Sequence, residues 1–592
     1  MGFLLGDLHK TDRLLDSLSL TLNKQKVEDS RAELALLVAW AWLSGRDREG
    51  VFPHPDGQEE IGAAYSALAE HLGVAGQAFA DSRIALECTG RVLREIRTAL
   101  VALESVSGPT LITALAKQLR RHTPRDSAPI SDDLAELLVA LGQTKGVGVL
   151  LGYPASAWLL PVLPQLDGVA LLTSSDDAIS VALGLIAGAR FWFPAAPGIP
   201  HPEPLGVPVV LAVPPFGKSL RGDFKATFGT EADMLRESLI EAEQRLVLAA
   251  PGFNSPRKDL AGVFHEPLEL EWLDAVIRLP LHATSGWDGP WQVLVFDKTR
   301  NPQEPVLFID SERMRETTEA LGRQTEDLEV KTEILEAWAR REDGEHSKLV
   351  SHAEIWKRGL DLSPRSYVPG PVARMLSSAP NTEPLSRLAR LIRAQMLGGT
   401  PSGRIGQGEL VLEAAPDDIG DDGVLQRPAK SVVTSSRDQV RIESQRLQPG
   451  DILMVIKGGR GSIGRVALVN DACEDNWVAG QVFLIIRVHD HDRISPVFLF
   501  RYLESEIAQD FVKEVTAASS IYLMRANDIQ EFPVPVPDSD KMKEVEQVHE
   551  SIIAEYAEIQ KHLDRISDLK RDWPVSARDL SRASEDFSGG AS

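Results

Sequence analysis

The spacing of apolar residues divides the chain into segments with different secondary structure. Within residues 1–125, apolar positions recur every three or four residues, which predicts helices. From about 130 to 310, short and nearly continuous apolar runs alternate with amphipathic stretches. The predicted strands are 146–152, 168–173, 207–213, 245–250, 273–280 and 291–298, with helices such as 176–188 and 231–243 between them. Buried strands that alternate with helices are typical of a doubly wound, mostly parallel α/β sheet.

Beyond residue 310 the pattern becomes charged and helical, then β-rich, and it ends in one long amphipathic helix. We therefore expect a multidomain α/β protein. Its predicted parts are a helical N-terminal domain (1–125), an α/β domain (130–370), a linker (371–404), a β-rich domain (405–538), a long helix (540–572) and a disordered tail (573–592).

Composition narrows the possible classes of function. The 592 residues carry 63 Lys and Arg against 86 Asp and Glu, and this net charge of −23 argues against a general nucleic-acid coat protein. The 2 cysteines lie far apart, which excludes a disulfide scaffold or a cysteine zinc module and fits a cytoplasmic protein. We expect no signal peptide, because residues 1–7 have no basic region and too short an apolar run. We also expect no membrane span, because Pro154 and Pro161 interrupt the most apolar stretch. We also predict no metal site.

A rigid turn follows the predicted strand 207–213 and reads Val213-Pro214-Pro215-Phe216. It resembles the Asn/Asp-Pro-Pro-Phe/Tyr motif of the amino-group DNA methyltransferases. The strands that follow, and the stretch from Ala353 to Val368, occur in the same order as in type I adenine-N6 modification subunits. This resemblance covers roughly residues 1–370 and implies a methyltransferase-like fold.

Three elements that the resemblance requires for methyl transfer are altered. Val213 stands where an Asn or Asp would accept hydrogen bonds from the target amino group. The loop that should read Asp-Pro-x-x-Gly-Ser/Thr-Gly is Leu151 to Ala157, and Thr173 replaces the carboxylate expected after the second strand. The degenerate catalytic positions are Val213, Pro214, Pro215 and Phe216, and the degenerate donor-loop positions are Leu151, Gly152, Ala155 and Ala157. We therefore predict a non-catalytic, methyltransferase-like scaffold that binds no cofactor.

The β-rich region contains a second resemblance. Residues 447–469 include Gly450-Asp451-Ile452-Leu453 and Ile463-Gly464-Arg465-Val466, separated by a glycine-rich turn. This pattern, and the Phe532–Pro537 exit into a long helix, look like the target-recognition domain of type I specificity subunits. The resemblance covers about 405–570 and implies binding to double-stranded DNA.

Local charge supports that interpretation, because residues 427–465 carry eight cations and three acids. The glycine turn at 457–461 lets two cations approach a phosphate backbone, and 519–525 offers a second contact. The candidate DNA-binding residues are Arg427, Lys430, Arg437, Arg441, Lys457, Arg460, Arg465, Tyr522 and Arg525. The alternative is that these are solvated surface charges.

The final helix has an apolar seam of the coiled-coil type between residues 540 and 570, which predicts docking to a partner or a homodimer. Our main hypothesis is a sequence-specific DNA-recognition subunit of a restriction-modification-like phage-defence system, whose partners are methyltransferase or restriction subunits. One alternative is an active adenine-N6 DNA methyltransferase that carries its own specificity domain and uses S-adenosylmethionine. Another is a protein-interaction scaffold of a defence complex.

Overall fold

The structure is a computed structural model in which the chain forms two compact units, residues 1–369 and 370–592. The residues that it describes are 2–27, 29–55, 61–82, 91–121, 130–193, 206–214, 231–251, 258–280, 291–320, 330–397, 399–401, 409–434, 439–459, 461–516, 523–524 and 526–571. The predicted tail at 573–592 therefore lies outside the described residues. Among the described helices, none combines the length and the apolar character needed to cross a bilayer.

The first unit begins with helices and continues as an alternation of strands and helices. Its helices are α1 (Gly2–Lys24), α2 (Ser30–Ser44), α3 (Ile61–Leu72), α4 (Gln77–Ala80), α5 (Arg91–Leu103), α6 (Gly108–Arg121), α7 (Asp132–Gly142), α8 (Ala178–Ala187), α9 (Glu231–Glu241), α10 (Lys258–Glu269), α11 (Ser311–Ala320), α12 (Lys331–Arg340) and α13 (His352–Lys357). Short 3₁₀ segments lie at Gly73–Gly76, Pro154–Val162 and Pro364–Ser366.

One nine-stranded sheet runs through the first unit. Its strands are β1 (Val149–Gly152), β2 (Val169–Leu172), β3 (Arg190–Trp192), β4 (Val207–Ala212), β5 (Ala242–Pro251), β6 (Leu273–Arg278), β7 (Trp291–Asp297), β8 (Val306–Asp310) and β9 (Ser347–Val350). The order is β3-β2-β1-β4-β5-β7-β6-β8-β9, and only β7 and β9 run antiparallel to their neighbours. The expected mixed α/β architecture with a mostly parallel sheet is thereby confirmed.

The sheet is apolar on both faces because helices cover each of them. Leu151 and Leu211 point into a core shared with the N-terminal helices, which extends from Leu15 to Ile334. Their neighbours Leu150 and Val210 belong to the core on the opposite face. This alternation explains why the strands read as continuous apolar runs in the sequence.

The second unit is a mixture of small sheets and helices. Its helices are α14 (Pro371–Ser378), α15 (Leu385–Leu388), α16 (Gln439–Gln445), α17 (Pro496–Glu504), α18 (Glu506–Thr516), α19 (Ala526–Gln530) and α20 (Ser539–Arg571). Its strands are β10 (Thr382–Pro384), β11 (Ala389–Arg393), β12 (Gly399–Pro401), β13 (Leu410–Ala414), β14 (Lys430–Thr434), β15 (Ile452–Val455), β16 (Val466–Leu468), β17 (Trp477–Ala479), β18 (Phe483–Val488) and β19 (Pro533–Pro535). The sheets are β11-β18-β15-β16, β12-β14-β13-β17 and β10-β19.

The segment predicted as a linker, 371–404, is folded over most of its length. It contains α14, β10, α15, β11 and β12. Leu376, Leu385 and Leu388 are buried in the core of the second unit. The expectation of a linker was wrong because its scattered leucines contribute to a core assembled from residues far away in the sequence.

Candidate functional site

The carboxyl ends of β1, β2 and β4 meet at one edge of the large sheet, because these strands are parallel neighbours. In open α/β sheets, ligands bind in the crevice at this edge. The altered loop after β1, Thr173 after β2 and Val213 after β4 all lie here. The structure therefore brings together the three positions that the sequence comparison identified as departures from the methyltransferase pattern.

Ser156 joins the ends of β1 and β4 directly. Its hydroxyl donates a hydrogen bond to the carbonyl of Gly152 and accepts one, at 3.0 Å, from the backbone N–H of Val213. Ser156 is fully buried. It lies within the 3₁₀ segment Pro154–Val162, where the resemblance expects a glycine loop. The Val213 N–H also donates to the Gly152 carbonyl at 3.4 Å, so the Ser156 hydroxyl adds a second, shorter hydrogen bond to a backbone group already paired between the strands.

The four candidate donor-loop positions are largely withdrawn from solvent. Leu151, Gly152 and Ala157 are buried, and Ala155 is half-buried. A Cβ added to Gly152 would come within 3.3 Å of the Ala212 Cβ, so this glycine serves the close packing of β1 against β4. These residues fit tight packing between strands and do not form a cradle for a nucleoside.

Tyr153 holds the turn after β1 in a strained conformation. Its φ of 75° and ψ of 156° lie in a region that favours glycine. The side chain is fully buried, and its hydroxyl donates a 2.5 Å hydrogen bond to the Met234 carbonyl. Burial raises the pKa of this phenol well above its ordinary value. Such backbone strain costs about 1–3 kcal/mol and persists only where packing determines the conformation.

Of the two acids after β2, Asp177 caps a helix and Asp176 accepts a hydrogen bond from the Ser174 hydroxyl. Asp177 is the N-cap of α8 and accepts hydrogen bonds from the backbone N–H (3.1 Å) and the hydroxyl (2.9 Å) of Ser180. Ser180 Oγ also lies 3.0 Å from the carbonyl of Pro154, which ties α8 to the segment after β1. Burial raises the pKa of the Asp177 carboxyl. Thr173 is fully buried beside them, and its hydroxyl finds no partner among the described residues.

The Pro-Pro-Phe turn is described only in part. Val213 and Pro214 are buried at the end of β4. Pro215 and Phe216 lie outside the described residues, so the predicted stacking of Phe216 stays a prediction. The side chain of Val213 offers no hydrogen-bond acceptor, as the sequence required.

A buried ionic cluster that sequence reasoning missed lies at the same edge, after β6 and β8. Asp310 has the guanidinium Nε atoms of Arg278, Arg313 and Arg365 at 3.7, 3.5 and 3.2 Å, respectively. All four side chains are at most 5% exposed. Arg313 also donates to the Val368 carbonyl, which anchors the end of the first unit. Three arginines spread over 88 positions show no pattern in the sequence that would have identified this cluster.

The two segments predicted to contact DNA meet in the second unit. Lys457 forms an antiparallel bridge with Leu523, and the Met524 N–H donates a 2.9 Å hydrogen bond to the Ile456 carbonyl. The β15–β16 turn therefore lies beside Leu523 and Met524, which are the described residues of the candidate segment 519–525. Tyr522 and Arg525, like Arg437 and Arg460, lie outside the described residues.

Four of the five described candidate cations fall into two groups. Lys457 and Arg465 are exposed and form no ion pair with any described residue. Arg427 lies 3.8 Å from Glu474, and Lys430 lies 2.7 Å from Glu413.

These two groups lie at opposite ends of the short strand β16. The Leu425 N–H donates to the Leu468 carbonyl at one end of the strand, and Gly464 N–H donates to Val455 at the other. Arg441 is exposed on α16. The local excess of positive charge read from the sequence is therefore split, and only the group at the turn has no acidic partner among the described residues.

A buried ion pair lies at the start of β15, at the end of the strand away from this turn. Asp451, in the Gly-Asp-Ile-Leu motif, accepts hydrogen bonds from Arg487 Nε and a terminal guanidinium nitrogen, both at 2.7 Å. It also accepts one from the Gln448 N–H at 2.8 Å. These bonds with Asp451 raise the pKa of Arg487. The pair holds the start of β15 and was not anticipated as a functional contact.

The solved structures that this chain matches include several proteins of restriction-modification systems. The type I methyltransferase subunit from Streptococcus thermophilus is 16% identical with a TM-score of 0.47, covering 61% of this chain and 100% of that one. The type IIG restriction endonuclease BpuSI is 11% identical with a TM-score of 0.43, covering 91% of this chain and 74% of that one. The HsdS subunit from Thermoanaerobacter tengcongensis is 16% identical with a TM-score of 0.22, covering 31% of this chain and 40% of that one.

No curated protein matches this sequence. One family model does match, the N-6 DNA Methylase family, over residues 265–374. The matched stretch is less than a fifth of the 592 residues, and both the 151–157 loop and the 213–216 turn lie before it. Residues 265–374, from within α10 to within α14, are therefore the part of this chain that resembles the N-6 DNA methylases.

Proposed function

We propose that this protein binds duplex DNA as a component of a restriction-modification-like system, and that its methylase-like unit is a scaffold for catalytic subunits supplied by other chains. The observation that carries the non-catalytic half of this proposal is the Ser156 hydroxyl between Gly152 and Val213. The backbone groups of Gly152 and Val213 bond to each other and to this buried hydroxyl, which leaves neither of them open to a methyl donor.

The residues at this edge of the sheet also lack the groups that binding of S-adenosylmethionine requires. The resemblance requires a carboxylate at the end of β2, where Thr173 stands; of the acids that follow, Asp177 caps α8 and accepts two hydrogen bonds from Ser180, and Asp176 accepts one from the Ser174 hydroxyl. A backbone cradle needs glycine, whereas Ala155 and Ala157 carry methyl groups. The described residues therefore do not fit the cofactor, and we derive no methyl-transfer step through it.

The second unit supplies the DNA-binding part of the proposal. Lys457 and Arg465 flank a glycine turn in which a Cβ at Gly459 or Gly461 would meet nothing within 4 Å. An open turn with exposed cations can approach a phosphate backbone closely. The interpretation of this unit as a specificity domain rests on the sequence motifs and on this arrangement of charge.

An active adenine-N6 DNA methyltransferase is the second candidate. The match of residues 265–374 to the N-6 DNA Methylase family favours it more directly than it favours a specificity subunit. In this case S-adenosylmethionine would be the cofactor, and its contacts would come from residues other than those of the 151–157 loop.

Calorimetric titration of the full-length protein with S-adenosylmethionine separates the two candidates. We expect no heat of binding up to millimolar donor and no transfer of labelled methyl groups to duplex DNA. Binding tighter than about 100 μM, or labelled DNA made by this chain alone, would establish the second candidate. Retention of duplex DNA by the same sample tests the DNA-binding half separately. If the protein binds no DNA at low salt, the hypothesis of a protein-interaction scaffold is the one that remains.

A further inference from the structure

The last helix, α20, leaves the second unit partway along its length. Its first turns pack on the domain through Met542 and Val545, which contact the core. His549 is buried, lies edge-on to Phe500 at 5.9 Å and accepts a 3.0 Å hydrogen bond from Arg501 Nε. Every side chain from 554 to 571 is exposed. At about 1.5 Å per residue, this part of the helix extends for about 27 Å.

The projecting part carries an apolar stripe. Tyr556, Ile559, Leu563 and Ile566 follow one another at intervals of three, four and three residues, so they share one face of the helix. Their exposed fractions are 37%, 51%, 53% and 48%. Hydrogen bonds of the described side chains here stay within the helix, as for Lys561 with Glu558. A seam of this spacing is typical of a helix that pairs with another helix.

Charge along the same segment selects the occupant and its direction. Residues 550–560 contain three acids and no Lys or Arg, whereas 561–571 contain four bases and two acids. The net charges of the two halves are therefore −3 and +2. A second copy aligned antiparallel places each acidic half against a basic half. A parallel copy would place like charges together, which is unfavourable.

We propose that the projecting part of α20 pairs with the same segment of a second copy of this chain, in antiparallel orientation. The contact is isologous: where residue i of one copy meets residue j of the other, residue j of the first copy also meets residue i of the second. Centred near Lys561, it places Tyr556 opposite Ile566 and Ile559 opposite Leu563. The proposal does not depend on whether either unit binds DNA or a methyl donor.

Sedimentation of the full-length protein over a range of concentrations tests the association. We expect a dimer that the double variant Ile559→Glu/Leu563→Glu weakens on the order of 100-fold, since it places four charges in the apolar seam. Ala554→Glu/Ala557→Glu adds the same charge to another face of the helix and is expected to leave the dimer intact. A wild-type monomer at every concentration, or a double variant that dimerises as well as wild type, overturns the proposal.

Disulfide trapping tests the direction, in a background with Cys88→Ser and Cys473→Ser. A mixture of Tyr556→Cys and Ile566→Cys proteins is expected to give the mixed disulfide. Two copies of Tyr556→Cys alone should not cross-link, because in the antiparallel pair these positions are about 15 Å apart along the axis, beyond the roughly 7 Å that a disulfide spans between Cα atoms. Cross-linking of Tyr556→Cys with itself, without the mixed product, overturns the antiparallel arrangement.

Discussion

Removing the two cations at the β15–β16 turn should change how salt affects DNA binding. Lys457 and Arg465 are exposed and have no acidic partner among the described residues, so each is available to one phosphate. Each phosphate contact contributes about 0.9 to the slope of log affinity against log salt. The double variant Lys457→Ala/Arg465→Ala should therefore lower the slope by about 1.8. Counterion release alone then predicts roughly 30-fold weaker binding at about 0.15 M salt.

Fluorescence anisotropy with a labelled duplex, at salt concentrations from about 50 to 300 mM, measures this slope. The matched control is Lys541→Ala/Lys543→Ala, which removes the same charge from the start of α20. Met542 lies near Ser495 there, away from the turn. The control should keep the wild-type slope. If both double variants lower the slope equally, net charge alone explains binding and the turn has no special role.

The remaining predictions concern the contacts that hold each unit together. Ser156→Ala should lower the free energy of unfolding by about 1–3 kcal/mol, as measured by urea denaturation, because it leaves the buried Val213 N–H poorly satisfied. The variant should not gain binding of S-adenosylmethionine. Asp451→Ala should lower the free energy of unfolding by on the order of 3 kcal/mol. This is the low end of the range for breaking a buried ion pair, because the partner Arg487 is 25% exposed. Burial, and then the charge of Arg501, lower the pKa of His549 below 6.5. The unfolded chain therefore binds the proton more readily than the folded one. We expect α20 to detach more easily from the second unit as the pH falls below 6.5. Amide hydrogen exchange of residues 539–553 measures this, and His549→Gln should abolish the pH dependence.

Each of these has a control within the chain. Ser66→Ala removes an exposed helical hydroxyl and should change stability by less than about 0.5 kcal/mol. An equal loss in Ser66→Ala and Ser156→Ala would contradict the role given to the crevice. Unchanged unfolding of Asp451→Ala would show that the pair with Arg487 is dispensable. Exchange near His549 that stays constant between pH 7 and 5.5, after correction for intrinsic rates, would remove the pH argument.

The sequence predicted well the elements whose signal is local. The strands 149–152, 207–212 and 273–278 appear as continuous apolar runs because both faces of the sheet are covered, and they formed where expected. The linker expectation for 371–404 failed because local polarity and proline content say little about a segment that folds onto distant residues. The loss of an acceptor at Val213 was also visible from residue identity alone.

Only the tertiary structure decided what occupies the crevice and which cations remain available. The hydrogen bond between Ser156 and Val213 joins residues 57 positions apart, and the bridge between Lys457 and Leu523 joins two segments that the sequence presented as separate candidates. Apolar periodicity reports burial, which is a property of each residue and its near neighbours. Hydrogen bonds and ion pairs depend on distances of a few ångströms between groups that the chain brings together only when it folds, so their partners could not be read from the order of the residues.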